Sequence, residues 1–109
     1  MSDSSLHAHL AMARHPGTYA LCIKRADGAN DVDELTRNRY LMNGDYTMGH
    51  VVCQIRSRVN VKPHQALFIL IDGNILPPVS ALVSDVYREH VNTKDGMLHL
   101  YYRLENTFG

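Results

Sequence analysis

Two cysteines, Cys22 and Cys53, and seven histidines are the side chains of this 109-residue chain with the greatest capacity for chemistry. A cysteine beside a histidine can hold a thiolate nucleophile, but no spacing here brings the two types together. Cys53 falls next to the apolar face of a helical segment, where a buried packing thiol is the expected role. Both cysteines therefore read as reduced packing thiols, too few for a disulfide framework and too far apart for a redox or zinc pair. His7 and His9, two apart on a helix, point in different directions and lack acidic or thiol partners, so no metal site is expected. His90 and His99 read as surface or hydrogen-bonded core residues. No glycine-rich phosphate loop is present, so no nucleotide cofactor is expected. Arg56, Arg58 and Lys62 are too few for a nucleic-acid stripe on a chain of formal net charge +0. Catalytic, metal, cofactor and nucleic-acid classes thus fall away. What is left is a group of arginines, Arg37, Arg39, Arg56 and Arg58, which by itself reads as a solvated face, and the terminal run Glu105-Asn106-Thr107-Phe108-Gly109.

The elements that position these residues follow from hydrophobic spacing. At 109 residues and 45% hydrophobic content the chain can bury one modest core. The longest apolar stretch, Ala66 to Ile71, is far short of the ~20 residues needed to span a bilayer, and no signal-peptide core opens the chain, so a soluble intracellular protein is expected. Ser4 and Ser5 are candidate caps of a short helix with Leu6, Leu10 and Ala13 on one face, closed by Pro16-Gly17. Leu21 and Ile23 alternate with Ala20, Cys22 and Lys24 in a first strand, and Glu34 to Asn43 reads as a second, paired with it as a hairpin. Thr47 caps a helix reaching Arg58 or Val59, with Val51, Val52, Ile55 and Val59 inward. Ala66 to Ile71 is a buried strand, Ile75-Leu76 a brief return strand, Ser80 to His90 a helix, and Met97 to Leu104 a last strand. This order predicts an α+β domain, a β-grasp at 18–109 in which the last strand lies parallel beside the first, preceded by a helical extension at 1–17.

Several short blocks occur together and in order between Tyr19 and Gly109: Arg39-Tyr40-Leu41, Ile55-Arg56-Ser57-Arg58, Leu76-Pro77-Pro78, Ser80-Ala81-Leu82, Tyr87-Arg88-Glu89-His90, Asp95-Gly96 and the Glu105 to Gly109 tail. Together they resemble the autophagy ubiquitin-like modifiers, the family of the microtubule-associated-protein light chain and the GABA-receptor-associated protein. The resemblance implies a monomeric modifier, not an enzyme, whose Gly109 carboxylate is adenylated by an activating enzyme and passed through cysteine thioesters of the activating and conjugating enzymes. It is finally amidated to the headgroup amine of phosphatidylethanolamine. A glycine at the acyl position has no Cβ and threads a narrow enzyme channel. Thr107 and Phe108 would be read by the conjugation enzymes and by a processing and deconjugating cysteine protease. The two-chain lipid would supply membrane affinity at ~0.8 kcal/mol per buried methylene. A cytoplasmic protein with a lipidated pool on autophagosomal membranes follows from the same resemblance.

The resemblance also implies binding of receptor peptides with the pattern aromatic-x-x-aliphatic, added as a strand beside the second strand. Alternation on Arg39 to Met42 sends Arg39 and Leu41 to one side and Tyr40 and Met42 to the other, so this strand can separate two pockets. By correspondence, Ala20, Cys22, Arg39, Leu41 and Met97 would line the aromatic pocket, and Tyr40, Met42, Tyr46, Val51, Ile55 and Arg58 the aliphatic one. Arg39 and Arg58 would attract acidic flanks. Ala20 and Met97 stand where the family has proline and phenylalanine, which softens the pocket floor. Only about eighteen residues precede Tyr19, room for one helix where the family has two. The competing expectation is a β-grasp binding module that is never conjugated.

Overall fold

The computed structural model describes residues 3–106, with side chains from 5 to 105. Four strands, β1 (Thr18–Arg25), β2 (Arg39–Asn43), β3 (Gln65–Ile71) and β4 (Leu98–Asn106), form one mixed sheet in the order β2-β1-β4-β3. The central pair is parallel, with Leu21 opposite Leu98 and Ile23 opposite Leu100, while β2 and β3 are antiparallel to their neighbours. This is the expected arrangement, and it places the first and last strands side by side.

Side-chain alternation divides the sheet into two faces. Leu21, Ile23, Leu98, Leu100 and Tyr102 point to one side, where α2 (Met48–Arg56) and α3 (Val83–His90) close a core that also takes Val51, Ile55, Val83 and Val86. Ala20 and Cys22 point to the other, where α1 (Asp3–Arg14) packs through Ala8, with Met97 beside them. The helix starts are specific. Thr47 caps α2 through Oγ1, which accepts the His50 N–H at 3.2 Å, and His50 Nδ1 accepts the Thr47 N–H at 3.0 Å, a reciprocal capping box. Gly17, at φ 84°, turns α1 into β1, and its carbonyl accepts the Gly44 N–H at 2.8 Å at the far end of the β1–β2 ladder.

Six expectations are corrected. The face of α1 that meets the sheet carries Ser5, Ala8 and Met12, and Leu6, Leu10 and Ala13 are exposed. Small side chains let the helix approach β1 closely, and a Cβ on Gly96 would lie 3.4 Å from the Ala8 methyl. Ser4 and Ser5 lie within α1, and Ser5 is buried with its carbonyl 2.7 Å from His9 Nδ1. Strand β2 starts at Arg39 rather than near Glu34, because residues 32–35 are held off the sheet. Tyr102 donates to the Asp33 carbonyl at 2.7 Å and accepts from the Leu35 N–H at 2.9 Å, and Arg25 donates to the Val32 carbonyl. The expected return strand at Ile75-Leu76 is a single bridge between Ile71 and Ile75, since Pro77 and Pro78 have no N–H to extend a ladder. Helix α3 starts at Val83, not Ser80, because the Ala81 carbonyl and the Val83 N–H bond to Met48 and Tyr46, holding Leu82 in extended backbone. Cys53 is exposed, not a packing thiol: it lies two residues from both Val51 and Ile55 and so faces away from their buried stripe.

Candidate functional site

Strand β2 is an edge of the sheet, paired to β1 on one side, so a row of backbone groups on its other side is available to a further strand. Beside it lies an apolar cavity of about 240 Å³. Its walls include Ala20, Arg39, Leu41 and Met97, four of the five residues expected for the aromatic pocket. The fifth, Cys22, sits in the small cluster with Ala8, Ala20 and Met97, where burial pushes its thiol above the ordinary value and keeps it a neutral packing group.

Sequence reading missed the third wall. His7, Ala8 and Ala11 of α1 close the cavity from the side opposite β2. Their i, i+1, i+4 spacing is a helical face, and three small or polar side chains there match the small Ala20 and Cys22 of β1. The larger Leu6 and Leu10 obscured that signal by drawing the apolar face to the wrong side.

The residues expected for the aliphatic pocket divide into a buried layer and a surface layer. Val51 and Ile55 are fully buried and Met42 nearly so; all three belong to the main core. Above them Tyr40 is half-buried and Tyr46 and Arg58 are exposed. The Arg58 guanidinium lies 5.6 Å from the centre of the Tyr40 ring, a cation–π contact, while the Tyr40 hydroxyl donates to the Arg37 carbonyl at 2.8 Å. The Tyr46 ring lies 5.5 Å from the His50 ring that caps α2. These side chains form a surface of aromatic and cationic groups over the buried layer. Tail residues Thr107, Phe108 and Gly109 lie outside the described residues.

Two other concavities lie away from β2. An open one of about 790 Å³ is walled by the 26–31 loop, Asp72, Tyr101 and Arg103 at the opposite end of the sheet, and one of about 210 Å³ lies beside β3 under Leu76 and Val79. Neither contains a group of acid, base and nucleophile. Among the described residues no three His, Cys, Asp or Glu side chains are grouped to hold a metal. His99 Nε2 and Asp95 Oδ2 are 2.5 Å apart, and Asp95 Oδ1 accepts the Met97 N–H at 3.0 Å, so that pair fixes the turn before β4. No described helix is long and apolar enough to cross a membrane.

A helix laid across one face of a mixed sheet whose first and last strands run parallel at the centre defines a ubiquitin-like β-grasp domain, here with an added helix on the opposite face. The chain belongs to the Atg8 family of autophagy proteins: the family described as "Autophagy protein Atg8 ubiquitin like" matches residues 5–109. It is 38% identical over 96 residues to autophagy-related protein 8d of Arabidopsis thaliana, covering 88% of this chain and 78% of that one. Autophagy-related protein 8 of Schizosaccharomyces pombe is likewise 38% identical over 96 residues, at 88% and 77% coverage. The crystal structure of Trypanosoma brucei ATG8 superposes with a TM-score of 0.85 at 29% identity, covering 97% of this chain and 89% of that one. The family is one of ubiquitin-like modifiers and adaptors, not enzymes.

Proposed function

We propose that this protein is a conjugated membrane tag of autophagy, joined through Gly109 to the amine of phosphatidylethanolamine, and that it recruits receptors by accepting an aromatic-x-x-aliphatic peptide along β2. The observation that carries the binding half is an edge strand flanked by an apolar cavity on one side and by Tyr40, Tyr46 and Arg58 on the other. Main-chain hydrogen bonds to β2 would give affinity, and the two flanking sites would read alternate side chains of the added strand. Arg39 and Arg58 supply positive charge at both sites for acidic residues of the peptide. Supporting the conjugation half, the family match runs to residue 109, and β4 leads directly to the tail as far as Asn106. The partners in this reading are the activating and conjugating enzymes, a deconjugating cysteine protease, receptors bearing the peptide motif, and the lipid itself.

Intact mass tests the conjugation. The protein is incubated with ATP, the two enzymes and vesicles containing phosphatidylethanolamine, beside a Gly109→Ala control. A lipid adduct that vanishes in the control supports the reading. Absence of an adduct, where a related modifier reacts under the same conditions, leaves an unconjugated peptide-binding adaptor. Titration with a Trp-x-x-Leu peptide is expected to shift the amide resonances of Arg39 to Met42 and of Arg58, and shifts confined elsewhere would remove β2 from the site.

A further inference from the structure

We propose that the open groove at the end of β1 is a docking site for an extended, basic segment of a partner protein, which pairs with the backbone of β4 at Leu104 and sets a lysine or arginine among Asp27, Asp31 and Asp72. The site is separate from the β2 site and does not depend on it.

The groove begins where a strand position falls empty. Strand β1 ends at Arg25, opposite Tyr102, and the next bond on that flank runs from the Ala26 N–H to the Tyr102 carbonyl at 2.9 Å. Strand backbone repeats every two residues, so Leu104 turns its N–H and C=O the same way as Tyr102, past the end of β1. There the chain leaves the sheet, with Val32 already in the main core, and a cavity of about 790 Å³ opens between the 26–31 loop and β4. Leu104 lines this cavity although its side chain is buried in the main core, so what it presents to the groove is backbone. A strand flank without a neighbour is what an added strand pairs with.

Side chains set the character of the occupant. The floor holds Tyr101, half-buried, and Leu70, a buried residue that belongs to neither core cluster. A Cβ on Gly73 would stand 3.7 Å from the Tyr101 ring, so the glycine leaves that side of the ring without a side chain over it. The walls carry Asp27, Asp31 and Asp72, all exposed, and among the described residues none of these carboxylates has an ion-pair or hydrogen-bond partner. Arg103 beside them is bonded to Glu105 at 3.1 Å, which offsets its charge. Unpaired carboxylates next to an aromatic ring attract a cation both by charge and through the π face. The apolar floor suits the aliphatic stem of a lysine or arginine. An acidic segment of the kind proposed for β2 is repelled here, so the two sites select partners of opposite charge.

The probe is a short capped peptide of alternating valine and lysine, titrated into the full chain and followed through amide resonances. Shifts are expected at residues 27–31, Tyr101 and Leu104, with the Leu104 amide protected from exchange in the complex. Spermidine, which carries charge without a peptide backbone, should leave that amide unprotected, and a valine–glutamate peptide should not bind. Asp27→Asn and Asp72→Asn should each weaken the probe about threefold, the scale of an exposed ion pair. Tyr101→Leu should cost a similar factor through the lost π face. Glu89→Gln makes the same change of charge on α3, away from the groove, and should leave the affinity unchanged. Equal affinity for the glutamate peptide, shifts that spare Leu104, or a loss in Glu89→Gln as large as in Asp27→Asn would overturn the proposal. Displacement of the probe by an acidic Trp-x-x-Leu peptide would place it at β2 and overturn the groove site too, leaving the function proposed above untouched.

Discussion

On β1, Leu21 and Ile23 point into the helix-covered core with no exposed surface, while Ala20 and Cys22, one residue away on the same strand, point toward α1. The first face draws residues from all four strands and from α2 and α3. The second is a cluster of Ala8, Ala20, Cys22 and Met97, two of them alanines, with Met12 at its margin. Fold stability scales with apolar area removed from water, so the α2–α3 face carries most of it. A face packed with small side chains leaves space between its layers, and that space is the cavity beside β2. One sheet thus separates the work of holding the fold from the cavity at which the proposed peptide would dock.

The comparison can be broken at neighbouring residues. Ile23→Ala should cost about 3 kcal/mol, in the range for a large-to-small change in a closed core. It should lower the urea midpoint at constant slope, with peptide affinity intact in the folded fraction. Next in size, Tyr102→Phe removes a buried hydroxyl and leaves the Asp33 carbonyl and the Leu35 N–H without it, at about 1–3 kcal/mol.

Tyr102 also carries a pH signature. Burial raises its phenol above the ordinary value of 10.0, and burial raises Tyr87 in the same direction. The native state therefore prefers the neutral phenols. Their contribution is complete below the unfolded value and is lost as pH climbs through it toward the raised native value. Urea midpoints of the parent chain should fall above about pH 10, and Tyr102→Phe should flatten that fall.

Thr47→Ala, which strips one half of the α2 capping box, should cost about 1 kcal/mol by the same denaturation measurement. Smallest is Cys22→Ala. It deletes one buried atom from the thin cluster and should cost about 0.8 kcal/mol, the scale of a single buried methylene. A cost equal to that of Ile23→Ala would show the α1 face to be as tightly packed as the core, and the division of labour would fail.

The same contrast governs what could be read from residues alone. Strands β1 and β4 were legible because Leu21-Ile23 and Leu98-Leu100-Tyr102 alternate with smaller or polar partners, and one face of each is fully buried. The Thr47 cap was legible because its hydroxyl has a local role at a helix start. The face of α1 was not, since burial there follows close approach of small residues and not hydrophobicity, which left Leu6 and Leu10 outside. Nor was the late start of β2, because the bonds that hold residues 33 and 35 off the sheet come from Tyr102, far along the chain. Of the first site, the β1, β2 and Met97 walls could be placed by correspondence, but the α1 wall required the helix's rotation. For the residues expected at the second site, whether Val51 and Ile55 meet solvent is a matter of packing depth that no spacing encodes, and both are fully buried.

The parallel pairing of β1 with β4 has a kinetic consequence. Leu21 must find Leu98, and β3 must wait for the same strand, so the closing of the sheet depends on contacts between the two ends of the domain. Pairings of such long range are slow to form, because a large loop must be ordered before any contact repays it. On the ribosome, where synthesis runs from the N-terminus, β1 and β2 can pair early, but β1 and β3 keep bare flanks until Leu98–Asn106 emerges. A nascent chain stalled before β4 would be an aggregation-prone species, and the terminal glycine follows within three residues of the strand that completes the fold.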